Sequence, residues 1–362
     1  MPEHRASIIP PKRILIVRLG SMGDIIHTLP AVQVLRHTFR ETIIGWVVEE
    51  RWAELLCTLP TPRSGPRSPQ RPLVDKVHTV NTKAWRGSLA SLQTIEQIAA
   101  AVSELRAPHY EIAIDFQGAV RSALIARLAR ATTIAGFAQP RESFASMFYS
   151  RKIITSGAHI VQQNLSLAAA IAGMSPTVAP EIEFPHDPAA EQKCDQLLHS
   201  LAVSRFVVLS PGAGWGAKQW PAARYGELAI QLACGGLRLL INYGPGEEHL
   251  AQQIEARSEG SAIAISLSLT QLIALMRRAD LFIGGDSGPL HMAAALHIPV
   301  VAIFGPTNPS RNGPFGTRSI VLRSSSSRTS LSHRPDTDPG LLEISAEQVA
   351  ARAQQLLGCS HE

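Results

Sequence analysis

The sequence predicts an α/β protein with two doubly wound parallel sheets. Short β-branched runs alternate with longer amphipathic stretches, which is typical of βαβ units on a parallel sheet. A proline-rich segment, 174–188, interrupts this alternation near the middle of the chain, and the alternation then resumes. At 362 residues the chain is also long for a single core, so two domains are expected.

The first half of the chain contains five predicted strands and four predicted helices. The continuous apolar run at 14–17 indicates a strand buried on both faces, as parallel strands are. We expect strands at 14–17, 43–48, 76–80, 112–115 and 133–136, and helices at 25–40, 88–104, 121–131 and 161–172. The segment 61–72, with four prolines and three arginines, is expected to be a mobile surface loop.

The second half repeats the pattern and forms a second domain. We expect strands at 206–210, 238–242, 262–265, 281–284 and 300–304, and helices at 222–233, 247–257, 269–278, 289–296 and 345–357. The Ser- and Arg-rich segment 324–340 is expected to be flexible. We therefore predict an N-terminal domain over 1–178, a C-terminal domain over 179–340, and a last helical segment, 341–362, that packs back on the N-terminal domain.

Composition limits the function classes. The net charge of +5 and pI near 9.2 suit an anionic partner, but aromatic residues are only 5% and do not interleave with basic runs, so nucleic acid is not expected. No apolar run reaches the roughly 18 residues of a membrane span. The first residues lack the apolar core of a secretory signal, and four scattered cysteines form no C-x-x-C pair, so we expect a cytoplasmic protein.

The loop after the first strand carries an acid where a phosphate-binding loop would present only backbone N–H groups. Residues 18–31 read R-L-G-S-M-G-D-I-I-H-T-L-P-A, and Asp24 would repel an anion. From its position alone, Asp24 is a helix cap or a partner of the helix dipole more readily than a catalytic group.

Two loops of the second half have the composition of an anion site. The loop S-P-G-A-G-W-G-A-K-Q-W-P, 210–221, brings Lys218 to a strand end, although a solvated lysine is an equal alternative. The segment F-I-G-G-D-S-G-P-L-H, 282–291, ends a strand and begins a helix, with Ser287 and Gly288 at the phosphate position. His291, one turn later, either reaches the same anion or is a packed structural residue.

Two further features concern the ribose and a metal ion. In N-Y-G-P-G-E-E-H, 242–249, Glu247 or Glu248 is either a ribose-binding acid or an ordinary first-turn glutamate. The only D-x-D, Asp336-Thr337-Asp338, lies between prolines and is more typical of a turn than of a metal site. Lys218 and the helix N-terminus would supply positive potential in place of Mg²⁺, which predicts a metal-independent reaction without a cofactor.

Taken together and in this order, seven motifs resemble one family. They are S-M-G-D-I-I-H-T-L-P-A, W-V-V-E-E, D-F-Q-G, R-E-S-F-A-S-M-F-Y, P-G-A-G-W-G-A-K-Q-W-P, G-D-S-G-P-L-H and F-G-P-T-N-P. This set resembles the ADP-heptose:lipopolysaccharide heptosyltransferases of glycosyltransferase family 9. W-V-V-E-E and R-E-S-F-A-S-M-F-Y are most similar to heptosyltransferase I, whereas the glycine-rich loop before Lys218 is more similar to heptosyltransferase II.

The resemblance implies a GT-B fold, in which two Rossmann-like domains face each other across a cleft. The N-terminal domain would bind the acceptor and the C-terminal domain the nucleotide sugar. Asp24 matches the catalytic base and Lys218 the diphosphate-binding lysine. The remaining donor-binding positions it implies are Gly214, Glu247, Glu248, Asp286, Ser287, Gly288 and His291.

The implied reaction is inverting transfer of L-glycero-D-manno-heptose from ADP-heptose to a Kdo residue of Kdo-lipid A. That acceptor carries carboxylates and phosphates, so the acceptor side is expected to be basic, and peripheral contact with the cytoplasmic face of the inner membrane is expected. The candidate acceptor-binding residues are Arg18, Lys83, Trp85, Arg86, Arg121 and Arg141. The alternatives are heptosyltransferase II or another family 9 transferase, a nucleotide-sugar epimerase, a non-catalytic sugar-nucleotide-binding module, and NAD-dependent redox chemistry.

Overall fold

Each half of the chain forms one six-stranded parallel sheet flanked by helices. A computed structural model describes residues 10–88, 91–175, 178–330, 332 and 334–358. The chain divides into two compact units between His186 and Asp187, later than the predicted boundary at 178. The backbone N–H of His186 donates to Pro69 O at 2.8 Å, which ties the end of the proline-rich segment to the N-terminal unit.

The N-terminal unit contains six strands, six α-helices and two short 3₁₀ helices in its described part. The 3₁₀ helices span Glu50–Leu55 and Ser143–Phe148. In chain order the other elements are β1 (Arg13–Val17), α1 (Met22–Ile26), α2 (Leu29–Thr38), β2 (Ile43–Glu49), β3 (Lys76–Val80), α3 (Thr82–Gly87), α4 (Leu92–Arg106), β4 (Ile112–Asp115), α5 (Val120–Leu128), β5 (Thr133–Phe137), β6 (Arg151–Ile153) and α6 (Ile160–Ala172).

The C-terminal unit contains the other six strands. A 3₁₀ turn, Gly216–Lys218, follows its first strand. The other elements are α7 (Pro188–Ser200), β7 (Phe206–Ser210), α8 (Ala222–Ala233), β8 (Arg238–Tyr243), α9 (Glu248–Arg257), β9 (Ala262–Ser266), α10 (Leu269–Met276), β10 (Leu281–Gly285), α11 (Gly288–Ala295), β11 (Val300–Ile303), α12 (Pro309–Asn312), β12 (Ser319–Leu322), α13 (Pro339–Glu343) and α14 (Ala346–Leu357).

Both sheets have the same strand order. The N-terminal sheet runs β3-β2-β1-β4-β5-β6 and the C-terminal sheet runs β12-β11-β10-β7-β8-β9, with every pair parallel. Read from its first strand, each sheet therefore has the doubly wound Rossmann order, and its order reverses between β1 and β4 or between β7 and β10. The predicted fold class, α/β with two such sheets, is confirmed.

Prolines and short strands account for most differences from the predicted elements. The helix expected at 25–40 is two helices, because Pro30 lacks an N–H group and fits only the first turn of α2. The helix expected at 88–104 is α4, and a separate α3 precedes it. The edge strands β6 and β12 have three and four residues, too few for a visible alternation pattern.

The last helix was expected to pack on the N-terminal domain, and the structure corrects this. Helix α14 packs on α8 and on the sheet of the C-terminal unit. Its apolar positions Val349, Ala350 and Ala353 are buried in the core of that unit. Two side chains at or just before the start of α8 hold α14 in this position. Trp220 and Arg224 donate to the carbonyl oxygen of Ile344, just before α14, and so fix the start of that helix against α8.

The proline- and arginine-rich loop 61–72 is also ordered rather than a mobile insertion. Arg71 is only 2% exposed, and its guanidinium donates to the carbonyl oxygens of Pro62, Gly65 and Pro66. Prolines supply carbonyl acceptors without competing N–H donors, so the loop folds around one buried cation.

The described part of segment 324–340 is likewise built into the fold. Asp338 accepts hydrogen bonds from Gly340 N and Ser327 Oγ and caps α13, so this acid of the D-x-D serves the turn that the sequence predicted. The backbone N–H of Ala217 donates to Arg334 O, and the backbone N–H of Asp338 donates to Ala217 O. These two hydrogen bonds fix the segment to the loop that carries Lys218.

Candidate functional site

The chemistry-bearing loops follow the strands on either side of each sheet reversal. In open α/β sheets, ligands bind beyond the carboxyl ends of the strands at such a reversal. In the N-terminal unit, the loop with Asp24 follows β1 and the D-F-Q-G loop follows β4. In the C-terminal unit, the loop with Lys218 follows β7 and the loop with Asp286 follows β10. Each unit therefore contains one candidate site.

Asp24 lies in the first turn of α1 and makes both a cap and an ion pair. Its Oδ2 accepts hydrogen bonds from Ser21 N at 3.1 Å and Ser21 Oγ at 3.2 Å. Its Oδ1 lies 2.5 Å from Nη2 of Arg18, and the side chain is still 34% exposed. Asp24 is thus a partly accessible carboxylate in a fixed orientation.

Arg18 was expected to be an acceptor-binding cation, and the structure places its side chain beneath Asp24. Its side chain is only 6% exposed, and its guanidinium is directed to Asp24 and to Phe116 O. The Trp46 indole N–H donates to Arg18 O at 3.0 Å. Arg18 therefore orients Asp24 from beneath and does not present a charge to solvent.

The loop with Asp24 is held by residues of the two flanking strands. Gln117 Oε1 accepts from Leu19 N at 3.0 Å, and the backbone N–H of Glu49 donates to Leu19 O at 2.9 Å. The Glu49 carboxylate also accepts from Thr82 N and from the Thr82 hydroxyl at the start of α3. The W-V-V-E-E and D-F-Q-G motifs therefore position the loop from both sides.

Trp52 is a residue that the sequence analysis missed. A Cβ atom on Gly20 would lie 3.1 Å from the Trp52 indole, so the glycine lets the ring cover the loop. The indole N–H is buried without a hydrogen-bond partner in the described part of the chain. The signal available in the sequence was an aromatic residue two positions after the W-V-V-E-E motif.

Asp115 anchors the D-F-Q-G loop from within the core. It is fully buried and accepts from Gln117 N at 2.8 Å, Gly118 N at 3.2 Å, Ser122 Oγ at 2.9 Å and Tyr149 OH at 2.7 Å. Burial raises the pKa of Asp115, although these hydrogen bonds work in the opposite direction. This buried acid shapes the site and does not face it.

The predicted acceptor-binding cations other than Arg18 are exposed near the same sheet edge. Lys83 and Arg86 lie on α3, which follows β3, and Trp85 of that helix packs partly against the core. Arg121 lies at the start of α5 after β4, and Arg141 follows β5. The structure places these cations after three different strands of the sheet.

The loop that carries Arg141 contacts the residues before α5 through Glu142 and Gly118. Glu142 N donates to Gly118 O at 2.9 Å, and Glu142 Oε2 accepts from Val120 N at 2.8 Å. Gly118 has a φ of 65°, and a Cβ atom there would lie 3.0 Å from Arg141 N. The loop with Arg141 is therefore fixed to the start of α5.

In the C-terminal unit, Asp286 joins the two predicted cationic groups. Its Oδ2 lies 2.6 Å from Lys218 Nζ and its Oδ1 lies 3.3 Å from His291 Nε2. Burial alone would raise the pKa of Asp286, but hydrogen bonds and charge from His291 and Lys218 hold that pKa well below its usual range. Lys218 Nζ also lies 4.0 Å from the centre of the Trp215 ring. The lysine is thus fixed in place.

Glycines allow the loops of this site to pack closely. A Cβ atom on Gly285 would lie 3.2 Å from Lys218 O, and one on Gly305 would lie 3.2 Å from Ala217 O. One on Gly216 would overlap Pro335 O. Close approach excludes a Cβ atom at Gly216 and disfavours one at Gly285 and Gly305, because the loops after β7, β10 and β11 meet at one edge of the sheet.

Ser287 and Gly288 begin α11, as predicted, and a buried hydroxyl lies on the neighbouring loop. Ser287 is the N-cap residue but makes no side-chain capping hydrogen bond in the described structure. Thr307, in the F-G-P-T-N-P motif after β11, is 3% exposed. The hydroxyls of Ser287 and Thr307 are both buried without a partner among the described residues. Thr307 was not among the predicted site residues, although its motif is one of the seven that resemble the family.

The structure separates Glu247 from Glu248. The Glu247 carboxylate accepts from Gly244 N at 2.8 Å and lies against Gly212 of the glycine-rich loop, where a Cβ atom would overlap it. Glu248 is exposed and bonds only locally, to Gly246 N at 3.1 Å. Gly214 has open space around its Cβ position. Of the two glutamates, Glu247 is therefore the one that lies against the glycine-rich loop that carries Lys218.

Neither a metal-binding cluster nor a helix able to span a membrane is found among the described residues. No group of three or more His, Cys, Asp or Glu side chains in that part of the chain is arranged to hold a metal ion. Among the same residues, none of the helices combines the length and the apolar character needed to cross a bilayer.

Comparison with known proteins agrees with the geometry. The model of the family described as glycosyltransferase family 9 (heptosyltransferase) matches residues 98–340. Lipopolysaccharide heptosyltransferase 1 of Pseudomonas aeruginosa is 30% identical over 86% of this chain and 84% of its own length, and that of Escherichia coli K12 is 30% identical over 86% and 93%. The solved structure of E. coli heptosyltransferase WaaC with ADP is 27% identical, with a TM-score of 0.76 over 95% of this chain and 99% of that one. The chain belongs to glycosyltransferase family 9, the heptosyltransferase family.

Proposed function

We propose that the protein transfers L-glycero-D-manno-heptose from ADP-heptose to a Kdo residue of Kdo-lipid A, with inversion at the anomeric carbon. The observation that carries this proposal is Lys218, whose ammonium is fixed by Asp286 beside the N-terminus of α11 at the reversal of the C-terminal sheet. This arrangement suits a departing diphosphate. The similarity to lipopolysaccharide heptosyltransferase 1 from two organisms supports the choice of sugar and acceptor.

The donor site is assigned to the C-terminal unit. Lys218 and the first N–H groups of α11, at Ser287 and Gly288, bind the diphosphate, and Glu247 accepts hydrogen bonds from the ribose hydroxyls. We include Thr307 in this site because its buried hydroxyl lacks a partner in the described chain and its loop packs on the loop that carries Lys218. His291 sets the charge and position of Asp286.

The base is assigned to Asp24. Its carboxylate takes the proton from a Kdo hydroxyl as that oxygen bonds to the anomeric carbon of heptose. The bond from that carbon to the ADP oxygen breaks on the opposite face, and ADP leaves with the electron pair. Arg18 keeps the carboxylate oriented, since it donates from the buried side. Lys218 stabilises the charge that develops on ADP, so the proposed reaction needs no metal ion.

The acceptor site is assigned to the N-terminal unit, around Lys83, Arg86, Arg121 and Arg141. These exposed cations suit the carboxylates and phosphates of Kdo-lipid A. We also propose that the protein works in the cytoplasm at the inner face of the inner membrane, where such a lipid acceptor is accessible.

A transfer assay tests the proposal. The purified protein is given ADP-heptose with Kdo-lipid A or with heptosyl-Kdo-lipid A, in the presence and absence of EDTA, and ADP release and product mass are measured. We expect transfer to Kdo-lipid A with and without EDTA. Transfer only to the heptosylated acceptor would identify heptosyltransferase II activity instead, and loss of activity in EDTA would reject the metal-free mechanism.

The same assay distinguishes the other classes. An epimerase would convert the donor without any acceptor, whereas the proposed transferase releases ADP only with an acceptor present. A non-catalytic binding module would bind ADP-heptose, as measured by calorimetry, but release no ADP with either acceptor.

A further inference from the structure

We propose that an apolar and basic face of the N-terminal unit docks on an anionic lipid bilayer and inserts two side chains into it. The face consists of Phe144 and Met147 on the 3₁₀ helix Ser143–Phe148, with Arg121, Leu124 and Arg127 on the adjacent α5. We call it the docking face. This inference deepens the proposed function, because it names the surface that would bring the enzyme to a lipid acceptor.

The 3₁₀ helix presents two of its three large apolar side chains to solvent. With three residues per turn, positions i and i+3 lie on the same side. Phe144 and Met147 are 73% and 77% exposed, whereas Ala145 is fully buried and Phe148 packs against the core. An outward pair of such side chains on a folded surface marks an interaction site more often than an isolated exposed residue does.

The exposed pair is held rigidly from both ends of the segment. At the start, Glu142 N donates to Gly118 O and the Glu142 carboxylate accepts from Val120 N. At the end, Tyr149 donates to the buried Asp115, and its ring occupies the space that a Cβ atom on Gly136 would need. The segment with Phe144 and Met147 therefore cannot turn inward without breaking these hydrogen bonds, of which the one from Tyr149 to Asp115 is buried.

Helix α5 packs directly on the 3₁₀ helix and continues the face. Its exposed positions Arg121, Leu124 and Arg127 recur every three residues, while Ser122, Ala123 and Ala126 are buried. The exposed stripe thus places an apolar residue between two cations, an arrangement found on surfaces that lie in the headgroup region of membranes.

The charge of this region selects an anionic partner. Residues 118–158 contain six Lys and Arg but a single acid, a formal charge of +5 that equals the net charge of the entire chain. The single acid is Glu142, whose carboxylate is engaged at the start of α5. Apolar insertion flanked by exposed arginines fits the negative surface of a bilayer rather than an acidic or neutral protein face.

Vesicle sedimentation of the full chain tests the docking face. Phosphatidylethanolamine vesicles that contain phosphatidylglycerol are compared with pure phosphatidylcholine vesicles, without any sugar acceptor. We expect binding to the anionic vesicles that weakens as salt is raised. The double variant Phe144→Ser and Met147→Ser should bind about tenfold or more weakly, because two apolar side chains no longer enter the bilayer.

A second apolar pair provides the matched control. Leu92 and Ile95 on α4 are also exposed, at 79% and 51%, and also lie three residues apart, but the neighbouring charged residue on that helix is Glu96. Changing Leu92 and Ile95 to Ser should leave vesicle binding unchanged. The variant with Phe144→Leu and Met147→Leu should retain binding. Such a result would show that binding depends on apolar side chains at these two positions and is not lost through any substitution there.

Several outcomes would overturn the inference. One is that the wild-type protein fails to bind anionic vesicles, and a second is that both Ser pairs lose binding equally. A third is that Phe144 and Met147 can be changed to Ser without any effect on binding. The last result, accompanied by conversion of a dimer to a monomer in light scattering, would assign the face to a second copy of the chain.

Transfer to a deacylated Kdo acceptor in solution separates this inference from the proposed function. The Phe144 and Met147 variants should retain wild-type transfer to that acceptor, since neither residue belongs to the proposed site. Absence of transfer in the wild-type protein, with the expected vesicle binding, would reject the proposed function and leave the docking face standing.

Discussion

The guanidinium of Arg18 lies 2.5 Å from the carboxylate of Asp24, with the arginine buried and the aspartate one-third exposed. A buried arginine without its carboxylate partner would be a costly feature of the fold, since an unpaired buried charge destabilises a protein by several kcal/mol. The same carboxylate is the proposed base. Structure and catalysis therefore depend on one side chain, and a single substitution of Asp24 changes both.

A double substitution separates the two roles of Asp24. We expect Asp24→Asn to lower kcat at least about 100-fold, since the amide takes no proton. It should also lower the free energy of unfolding by about 1–3 kcal/mol, between the values for exposed and buried ion pairs. Adding Arg18→Met removes the unpaired charge and should restore most of the stability without restoring turnover.

Urea unfolding and the transfer assay, on the two single variants and the double variant, check this prediction. Donor binding, measured by calorimetry, should be unchanged in all three proteins. Wild-type turnover in Asp24→Asn would reject the base assignment and leave Asp24 as a cap and counterion.

Lys218 should be essential for the departure of ADP. We expect Lys218→Met to lower kcat/KM about 100- to 1000-fold, the usual effect of removing one preorganised donor from a developing anion. Lys193, an exposed lysine on α7 of the same unit, is the control, and Lys193→Met should have wild-type kinetics. If Lys218→Met has wild-type activity when Mg²⁺ is added and no activity without it, a metal ion performs the role that we assign to the lysine.

Glu247 and Glu248 form a natural pair for testing the ribose contact. We expect Glu247→Gln to raise the Kd for ADP about tenfold or more, because a charged acceptor is lost from a hydrogen bond to the ribose. Gly212→Ala should have a similar effect, since its Cβ atom would displace the Glu247 carboxylate. Glu248→Gln should leave the Kd unchanged. Equal losses in the two glutamine variants would contradict the assignment.

The sequence predicted the sheets well, because they depend on local signals. Continuous apolar runs such as β1 and β7 can only be buried strands, and a Gly-Asp-Ser-Gly-Pro sequence after a strand predicts a helix start. The start of α7 was missed, although Asp187 and Pro188 are an N-cap and a first-turn proline, and the Asp187 carboxylate does accept from Ala189 N at 3.0 Å.

Long-range contacts account for the wrong predictions. Arg71 was assigned to a mobile loop because composition alone does not show that four carbonyl oxygens converge on one guanidinium. The ion pair of Arg18 with Asp24 was likewise not predicted, because the distance between the two residues along the chain does not show that Arg18 is buried beneath Asp24. The choice between Glu247 and Glu248 likewise required the position of Gly212, which lies on another strand end.

The hydrogen bond from Tyr149 to Asp115 should make stability depend on pH. Burial raises the pKa of Asp115 above that of the unfolded chain, about 4, so its stabilising contribution is complete below that pH and is lost as pH rises through the folded pKa. Tyr149→Phe removes a donor that opposes this rise, and the loss then extends to higher pH. The deficit relative to wild type should be about 1–3 kcal/mol and larger at about pH 8 than at about pH 5.

Urea unfolding over that pH range checks this expectation. In the background of Asp115→Asn, Tyr149→Phe should produce a deficit that does not vary with pH, since no group at position 115 titrates. If the loss of unfolding free energy in the single variant is constant or becomes smaller with rising pH, the raised pKa that we infer for Asp115 in the folded protein is contradicted.

Thr307 gives a prediction in which stability and binding move in different directions. Its hydroxyl is buried without a partner in the described chain, so Thr307→Val, which keeps the shape, should leave the free energy of unfolding unchanged or slightly raised. If that hydroxyl donates to the bound donor, the KM for ADP-heptose should rise about fivefold to tenfold. Thr307→Ser keeps the hydroxyl and should have a KM close to wild type. A loss of stability in Thr307→Val with an unchanged KM would place the partner of the hydroxyl inside the fold and remove Thr307 from the donor site. Unchanged stability with a raised KM is expected only if the hydroxyl finds its hydrogen-bond partner in the bound ligand.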